Sequence, residues 1–388
     1  MLFGTGRGLF MVTAPAVALA PGIAPHIALA TLPAAMIVIG TALSAWIASM
    51  ITRYTGRQGG FLIGTALGTL SGILCLGSVL FMNFWLLAIG GLVFGFFSGF
   101  AQLYRFAAAD GVTERYRSIA ISLVLAGGVF AGFAGAGLAV WGENLFPEMF
   151  YRGSFNQFGG TFSFMIGTTL IAAVALLFLR IPNLTKAQLD GPQRSLREVM
   201  KQPVFIAAAV SATVAQSVMN FLMTATPIAM ISICGHSFPD TANVIAWHVF
   251  AMFAPGFFTG FLIRKFGEFK LIMTGLCLQA LCVAVALSGI KVIDFWIAMF
   301  FLGVGWNFTF TAATSLMTRA YNPAERAKTQ GMMNQIIYTV VACGSLSSGA
   351  FVHFFGWSWV NIGATPLLLL AVVTMLWYRK NSNSPAAG

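Results

Sequence analysis

The sequence predicts an all-α membrane protein in which twelve transmembrane helices form two pseudo-symmetric six-helix bundles. Three observations carry that expectation. The first is composition: of 388 residues 58% are apolar and only 8% charged, with a mean hydropathy of +0.86, whereas about a quarter of the residues of soluble domains are charged. The second is an internal repeat. Arg53-Tyr54-Thr55-Gly56-Arg57 is answered 211 positions later by Arg264-Lys265-Phe266-Gly267-Glu268, and Glu114-Arg115 by Glu325-Arg326 at the same offset. Met11 and Pro15 match Met223 and Pro227 at 212, so one residue has been gained or lost between the halves. Two like halves in an apolar chain point to a duplicated bundle that holds something between its parts. The third is the alternation of charge. Of 21 Lys and Arg, all but Arg7, Arg105, Arg152 and Lys291 fall in even-numbered loops or the C-terminal tail, which by the positive-inside rule places both termini in the cytoplasm.

A helix crosses the roughly 30 Å hydrocarbon layer in about 20 residues, and apolar runs of that length follow one another along the chain. Segment one, 4–20, has the hydropathy of a signal peptide. No cleavage-site pattern follows it, however, and it matches segment seven, so it belongs to the fold. Segments two (29–51) and three (60–81) flank the first charged loop. Segment four, 84–109, closes on Tyr104–Asp110. Segment five, 118–141, carries Gly128, Gly132 and Gly135 at the spacing that lets helix backbones approach; this is either static packing or a surface on which the halves rock. The loop 142–160, rich in aromatics and glycine, caps the outer mouth or lies among lipid headgroups. Segment six is 161–180. The polar stretch 181–203 is a linker whose Ser195–Lys201 portion is a surface helix at the lipid boundary or a solvated connector. The second half follows as 204–232, 240–262, 270–290, 293–318, 329–352 and 359–378. The expected organisation is therefore a bundle over 1–180, a cytoplasmic linker over 181–203, a second bundle over 204–380 and a tail over 381–388.

The net charge of +11 reports topology, because its basic residues sit where the positive-inside rule puts them; nucleic acid is not an expected partner. Cys75, Cys234, Cys277, Cys282 and Cys343 show no metal or redox spacing and read as packing residues. No Walker-type glycine loop appears, so direct use of ATP is not expected. Among His26, His236, His248 and His353 no two have helical ligand spacing, which argues against an intramembrane enzyme. Neither metal nor cofactor is expected. The expected partners are the lipid bilayer, a small organic substrate and protons, with the protein as a monomer.

The stretch Ser49 to Gln58, with Arg53, Gly56 and Arg57, resembles the GxxxDRxGRR signature of the major facilitator superfamily. Its second copy, Gly260 to Gly267, keeps the first glycine. Both copies carry Arg where the signature has Asp, which removes the acid that relays charge in other members. Tyr104–Asp110, Met223–Pro227, Cys234–Ser237, Trp247–Val249, Met252–Pro255, Phe257–Gly260 and Gly305–Phe308 resemble one bacterial branch of that family. The resemblance spans essentially the whole chain. It implies the major facilitator fold, a place in the bacterial inner membrane and alternating access by two bundles driven by a gradient; it names no substrate. Where relatives tend to have an Asn-Asp pair after a glycine, this chain has Gly331-Met332-Met333-Asn334. The glycine motif that many exporters show in segment five is absent, which favours uptake or leaves the direction open.

All ten acidic residues lie in loops or near segment ends, so no carboxylate reaches the midplane to carry a proton. His248, about 12 Å along its helix from the outer side, is the alternative: a proton carrier or substrate donor, or a neutral histidine tied to a neighbouring helix. Arg105, five residues inside its segment end, binds an anionic substrate or pairs with a gate acid. The remaining candidate lining consists of Gln216, Asn220, Gln279, Trp306, Asn307, Asn334, Gln335 and Tyr338, because amides and indoles at mid-depth must face protein or cavity. Amides with aromatic walls suit a neutral or zwitterionic organic molecule. Arg53, Arg57, Asp110, Glu114, Arg115, Arg264, Glu325 and Arg326 form the expected cytoplasmic gate, with ion pairs that break as the halves separate. A second function class, a sensor or assembly factor that kept the carrier fold, would show no gradient-driven uptake.

Overall fold

A computed structural model describes residues 1–19, 25, 29, 32–143, 158–178 and 191–382. These residues are helical almost throughout. In chain order the helices are α1 (Leu2–Leu19), α2 (Leu32–Leu80), α3 (Phe84–Ala101), α4 (Tyr104–Asp110), α5 (Arg117–Glu143), α6 (Gly159–Phe178), α7 (Leu196–Lys201), α8 (Pro203–Ile228), α9 (Phe238–Phe253), α10 (Gly256–Phe266), α11 (Glu268–Ser288), α12 (Val292–Met317) and α13 (Arg326–Ser382). Among the described residues eight helices are long and apolar enough to cross a membrane, and the bent pair α9–α10 makes a ninth span.

Two of these helices hold more than one crossing. At 1.5 Å per residue a 49-residue helix would be about 74 Å long, twice what a bilayer needs. α2 has that length but turns at Gly56, whose φ of 76° and ψ of 169° interrupt the helix. α13 has 57 residues and turns at Gly356, with φ 78° and ψ 176°. Only glycine holds such dihedrals without strain. Counted by their arms, the described helices are consistent with the twelve segments expected from hydropathy. Gly267, 211 residues after Gly56, separates α10 from α11 with nearly the same dihedrals, φ 82° and ψ 159°. The two signature loops thus share one backbone device.

Three segments depart from unbroken helix. Segment four pauses at Gln102 and Leu103 between α3 and α4. Segment eight, expected to be continuous, bends by 42° between α9 and α10, where Pro255 lacks the amide hydrogen that would continue the ladder. Segment seven carries Pro227 and then widens into a π turn over Ala229–Ile233, a common response to a missing donor.

The chain divides into two compact units, Met1–Tyr104 with Gly127–Asn183, and Arg105–Ala126 with Leu184–Gly388. The first is built on phenylalanine. Phe10, Phe94, Phe97 and Phe162 are fully buried with Leu9, Leu87 and Met165, and Phe94 and Phe97 meet edge to face at 5.5 Å. Glycine lets α2 and α3 touch through their backbones: a Cβ on Gly40 would strike the Leu92 carbonyl, and one on Gly95 the Ile37 carbonyl. A crevice of about 360 Å³ lies between the second arm of α2 and α6, lined by Leu62, Leu70, Ile73 and Leu170 and by no charged side chain.

In the second unit residues 105–126 pack with C-terminal elements. Ser118 Oγ donates to the Gly260 carbonyl at 3.1 Å, and Ser122 Oγ both donates to the Gly256 carbonyl and accepts from Gly260 N–H. A Cβ on Gly260 would sit 2.5 Å from Ile119 Cα. The small residues of α10 therefore bring the first turns of α5 close enough for side chain to backbone bonding.

Candidate functional site

The second unit gathers half of the predicted lining residues into one buried layer. Trp306 and Phe310, one helical turn apart on α12, share a face and stack at 5.2 Å with an interplanar angle of 15°. Phe253, at the end of α9, meets Trp306 edge to face at 5.8 Å. The indole Nε1 donates to Gln216 Oε1 on α8 at 2.9 Å. A buried indole N–H needs such a partner, and once it has one the ring is held in a single orientation. Trp306 is 4% exposed.

Beyond Phe310 the layer continues into charge. The Arg105 guanidinium lies 4.6 Å from the centre of the Phe310 ring and 5.0 Å from that of Phe106, and its Nη2 donates to Asn334 Oδ1 at 2.7 Å. The Tyr338 hydroxyl adjoins the same guanidinium. Arg105 and Asn334 are both buried. The two aromatic faces offset part of the cost of holding a cation away from water. Gln216, Trp306, Arg105, Asn334 and Tyr338 are thus brought together, and Phe106, Phe253 and Phe310 join them. Sequence reasoning took Phe106 and Phe253 only as parts of family motifs and passed over Phe310 among 37 phenylalanines; the i, i+4 spacing of Phe310 from Trp306 was the available signal.

Other lining candidates hold helices together. Asn307 accepts from Thr259 Oγ1 at 2.7 Å and donates to the Met252 carbonyl at 2.6 Å, so both ends of its amide are used across the bend between α9 and α10. Gln279 Nε2 donates to the Ala215 carbonyl at 3.3 Å, and Asn220 Nδ2 to Ser345 Oγ. Gln335 turns along its own helix to Thr339 Oγ1 at 3.0 Å. His248 is fully buried, with Nδ1 at 2.7 Å from the Met299 carbonyl. A carbonyl only accepts, so Nδ1 carries the hydrogen; Nε2 has no partner among the described residues.

The charges of the expected gate pair in part with other partners. Arg326 does reach Asp110, at 3.3 Å. Glu325 instead takes Arg194, a linker residue that sequence reasoning read only as a topology signal. Arg194 Nε and its own backbone N–H both donate to Glu325 Oε1, at 2.9 and 2.6 Å, and Nη2 donates to Oε2 at 2.6 Å. Arg194 also reaches Gln202 Oε1 and the Ala320 carbonyl. This guanidinium, helped by the Asn322 and Arg194 backbone N–H groups, holds the Glu325 carboxyl down to about 2 from its ordinary 4.5. The Arg194 pKa is raised in return. Glu114 pairs with Arg117 three residues on, at 3.2 Å, the nearest cation on its own turn. Arg115 and Arg264 lie over the Tyr116 ring, at 5.9 and 5.6 Å. Arg57 is buried beside the turn in α2 and Arg53 is half-buried. The loop expected over 142–160 lies mostly outside the described residues, as does the first part of the linker.

The chain matches the family model of the Major Facilitator Superfamily over residues 1–343 and 209–388. It is 37% identical over 351 residues to the riboflavin transporter RfnT of Brucella anthropi, covering 90% of this chain and 86% of that one. It is 27% identical over 363 residues to YddS of Bacillus subtilis, an uncharacterized transporter of the same superfamily, covering 90% and 82%. Among solved structures it is similar to the E. coli fucose:proton symporter FucP, with a TM-score of 0.74, 15% identity and coverage of 99% and 96%. It is also similar to the human organic anion transporter MFSD10, with a TM-score of 0.73, 13% identity and coverage of 96% of each chain. Apolar helices, an interrupted signature repeat, a buried aromatic and amide layer and these likenesses agree: the chain belongs to the Major Facilitator Superfamily and is a multi-pass membrane transporter of a small solute.

Proposed function

We propose that this transporter carries riboflavin, or a flat heteroaromatic solute of its kind, across the bacterial inner membrane by alternating access, with both termini in the cytoplasm and a proton carried by His248. The observation that carries the substrate reading is the Trp306–Phe310 stack, locked by Gln216. An indole whose N–H is already bonded offers its face, and a ring face is what a planar tricycle recognises. The 37% identity with a riboflavin transporter over nearly the whole chain supports the same solute. The layer is closed in this structure, so in this reading the solute reaches it when neighbouring helices part. His248 suits the proton because its Nε2 has no partner among the described residues and can accept one once neighbouring helices part; protonation would add a donor there.

Reconstituted vesicles test both statements. Wild-type protein should give saturable riboflavin uptake that an inward proton gradient accelerates several-fold. His248→Gln should retain basal uptake and lose the acceleration. Uptake no faster than in protein-free vesicles would overturn the substrate, and a gradient response that survives in His248→Gln would overturn the role of the histidine. One observation favours a facilitator without coupling: His248 is fully buried and bonded to the Met299 carbonyl, as a histidine that only ties two helices together would be. A wild-type rate indifferent to the gradient would identify that case.

A further inference from the structure

The Arg105–Asn334 pair stands at the edge of the aromatic layer, and its chemistry is one-sided. A guanidinium donates through five N–H groups and accepts nothing. Its bond to Asn334 is accepted by the amide oxygen, which fixes the orientation of the amide and leaves Nδ2 as its donor end. Asn334 is 0% exposed, and Nδ2 has no hydrogen-bond partner among the described residues. A buried amide N–H2 without an acceptor is a standing cost that native interiors rarely leave unmet. The Tyr338 hydroxyl beside the guanidinium is also able to donate.

The stacking makes this arrangement directional. The guanidinium lies over the Phe106 and Phe310 rings, and Phe310 is the ring that stacks on Trp306. A flat solute lying on the Trp306–Phe310 face would therefore meet the donor pair with its rim. The indole takes only the oxygen of the Gln216 amide, while Arg105 and Asn334 supply donors beside Phe310.

We propose that Arg105 and Asn334 are specificity-determining residues that read the acceptor edge of a planar heterocycle, two neighbouring carbonyl or ring-nitrogen lone pairs accepting from the guanidinium fork and from Asn334 Nδ2. This rests on the proposed flavin-like solute and goes beyond it, because it says which rim of the ring system is recognised. In riboflavin that rim is the pyrimidinedione end, where the C2 carbonyl oxygen adjoins N1 and the C4 carbonyl oxygen adjoins N5. The dimethylbenzene end has no acceptor and would point away. Fork geometry, more than positive charge, is what the site needs, since the solute's ring is neutral.

The test deletes the hydrogen bond from either side. Binding to purified wild-type protein is measured by quenching of flavin fluorescence for riboflavin, 1-deazariboflavin and 5-deazariboflavin. The same titrations are run on Asn334→Leu, Asn334→Asp and Arg105→Lys, each checked for a cooperative melt. At least one deaza analogue should bind the wild type about tenfold more weakly, the size of one net hydrogen bond. That penalty should fall to about onefold in Asn334→Leu. Asn334→Asp, which puts a second acceptor where the donor was, should weaken riboflavin by tenfold or more, and Arg105→Lys should do so while keeping the charge. A merely structural role for the pair would weaken all three ligands equally and leave the ratio between them unchanged, and that result would overturn the inference while leaving the flavin substrate standing. If the wild type binds none of the three, the substrate reading fails and this inference fails with it. If Asn334→Leu does not fold, the ratio in Asn334→Asp decides by the same criterion.

Discussion

At the scale of single residues, the layer around Trp306 shows what a polar side chain in an apolar segment announces and what it conceals. Trp306, Gln216, Arg105, Asn334 and Tyr338 stood out in the sequence because an amide, indole or guanidinium at mid-depth needs a partner. Their pairing did not, since the partners lie on different helices, as far as 229 residues apart for Arg105 and Asn334. Asn307 had the same signal and a different use. Both ends of its amide are spent on Met252 and Thr259, so Asn307→Leu leaves a buried carbonyl and hydroxyl without that partner. It should lower stability by about 1–3 kcal/mol with little change in which solute is bound. Thermal unfolding in detergent checks this, and an unchanged melting temperature would return Asn307 to the list of lining residues.

At the scale of elements, glycine and charge decide where helices turn and where they dock. Gly267 has open space around its α-carbon and a φ of 82°, so Gly267→Ala isolates the conformational cost from any clash. It should destabilise by about 1–3 kcal/mol, and Gly56→Ala should do the same if the two signature loops are one device used twice. A melting temperature unaffected by either would contradict that equivalence. The signature glycines were legible from their spacing alone. The bend at Pro255 was not, because hydropathy runs straight through it.

The end of the linker docks through Glu325, and its pH dependence has a definite sign. The folded carboxyl titrates below its ordinary 4.5, at about 2. Its pairing with Arg194 therefore stabilises fully above roughly pH 4.5, and that contribution is lost as the pH falls towards 2. Glu325→Gln should melt below wild type at pH 7, by an amount corresponding to about 1–3 kcal/mol, and the gap should narrow as the pH drops from about 5 to about 3. A gap constant over that window would show that Glu325 stabilises by something other than its charge. Arg194 itself was read as one more cytoplasmic cation, because nothing local distinguishes it; its partner lies 131 residues away.

For the whole molecule, composition, the 211-residue repeat and the alternation of basic loops carried the fold class, since each reflects a constraint the bilayer imposes along the entire chain. What the chain carries was not legible in that way. A carrier fold serves many solutes, and the substrate depends on a handful of side chains whose neighbours are fixed only by packing. The account therefore turns on whether Trp306 is the face on which the solute lies. The most direct measurement is quenching of intrinsic tryptophan fluorescence by riboflavin in single replacements of the purified protein. Saturable quenching should be present in wild type and in Trp247→Phe, whose indole is 44% exposed, and should be lost, with affinity down by tenfold or more, in Trp306→Phe. Quenching of full amplitude and unchanged affinity in Trp306→Phe would contradict the assignment of the site.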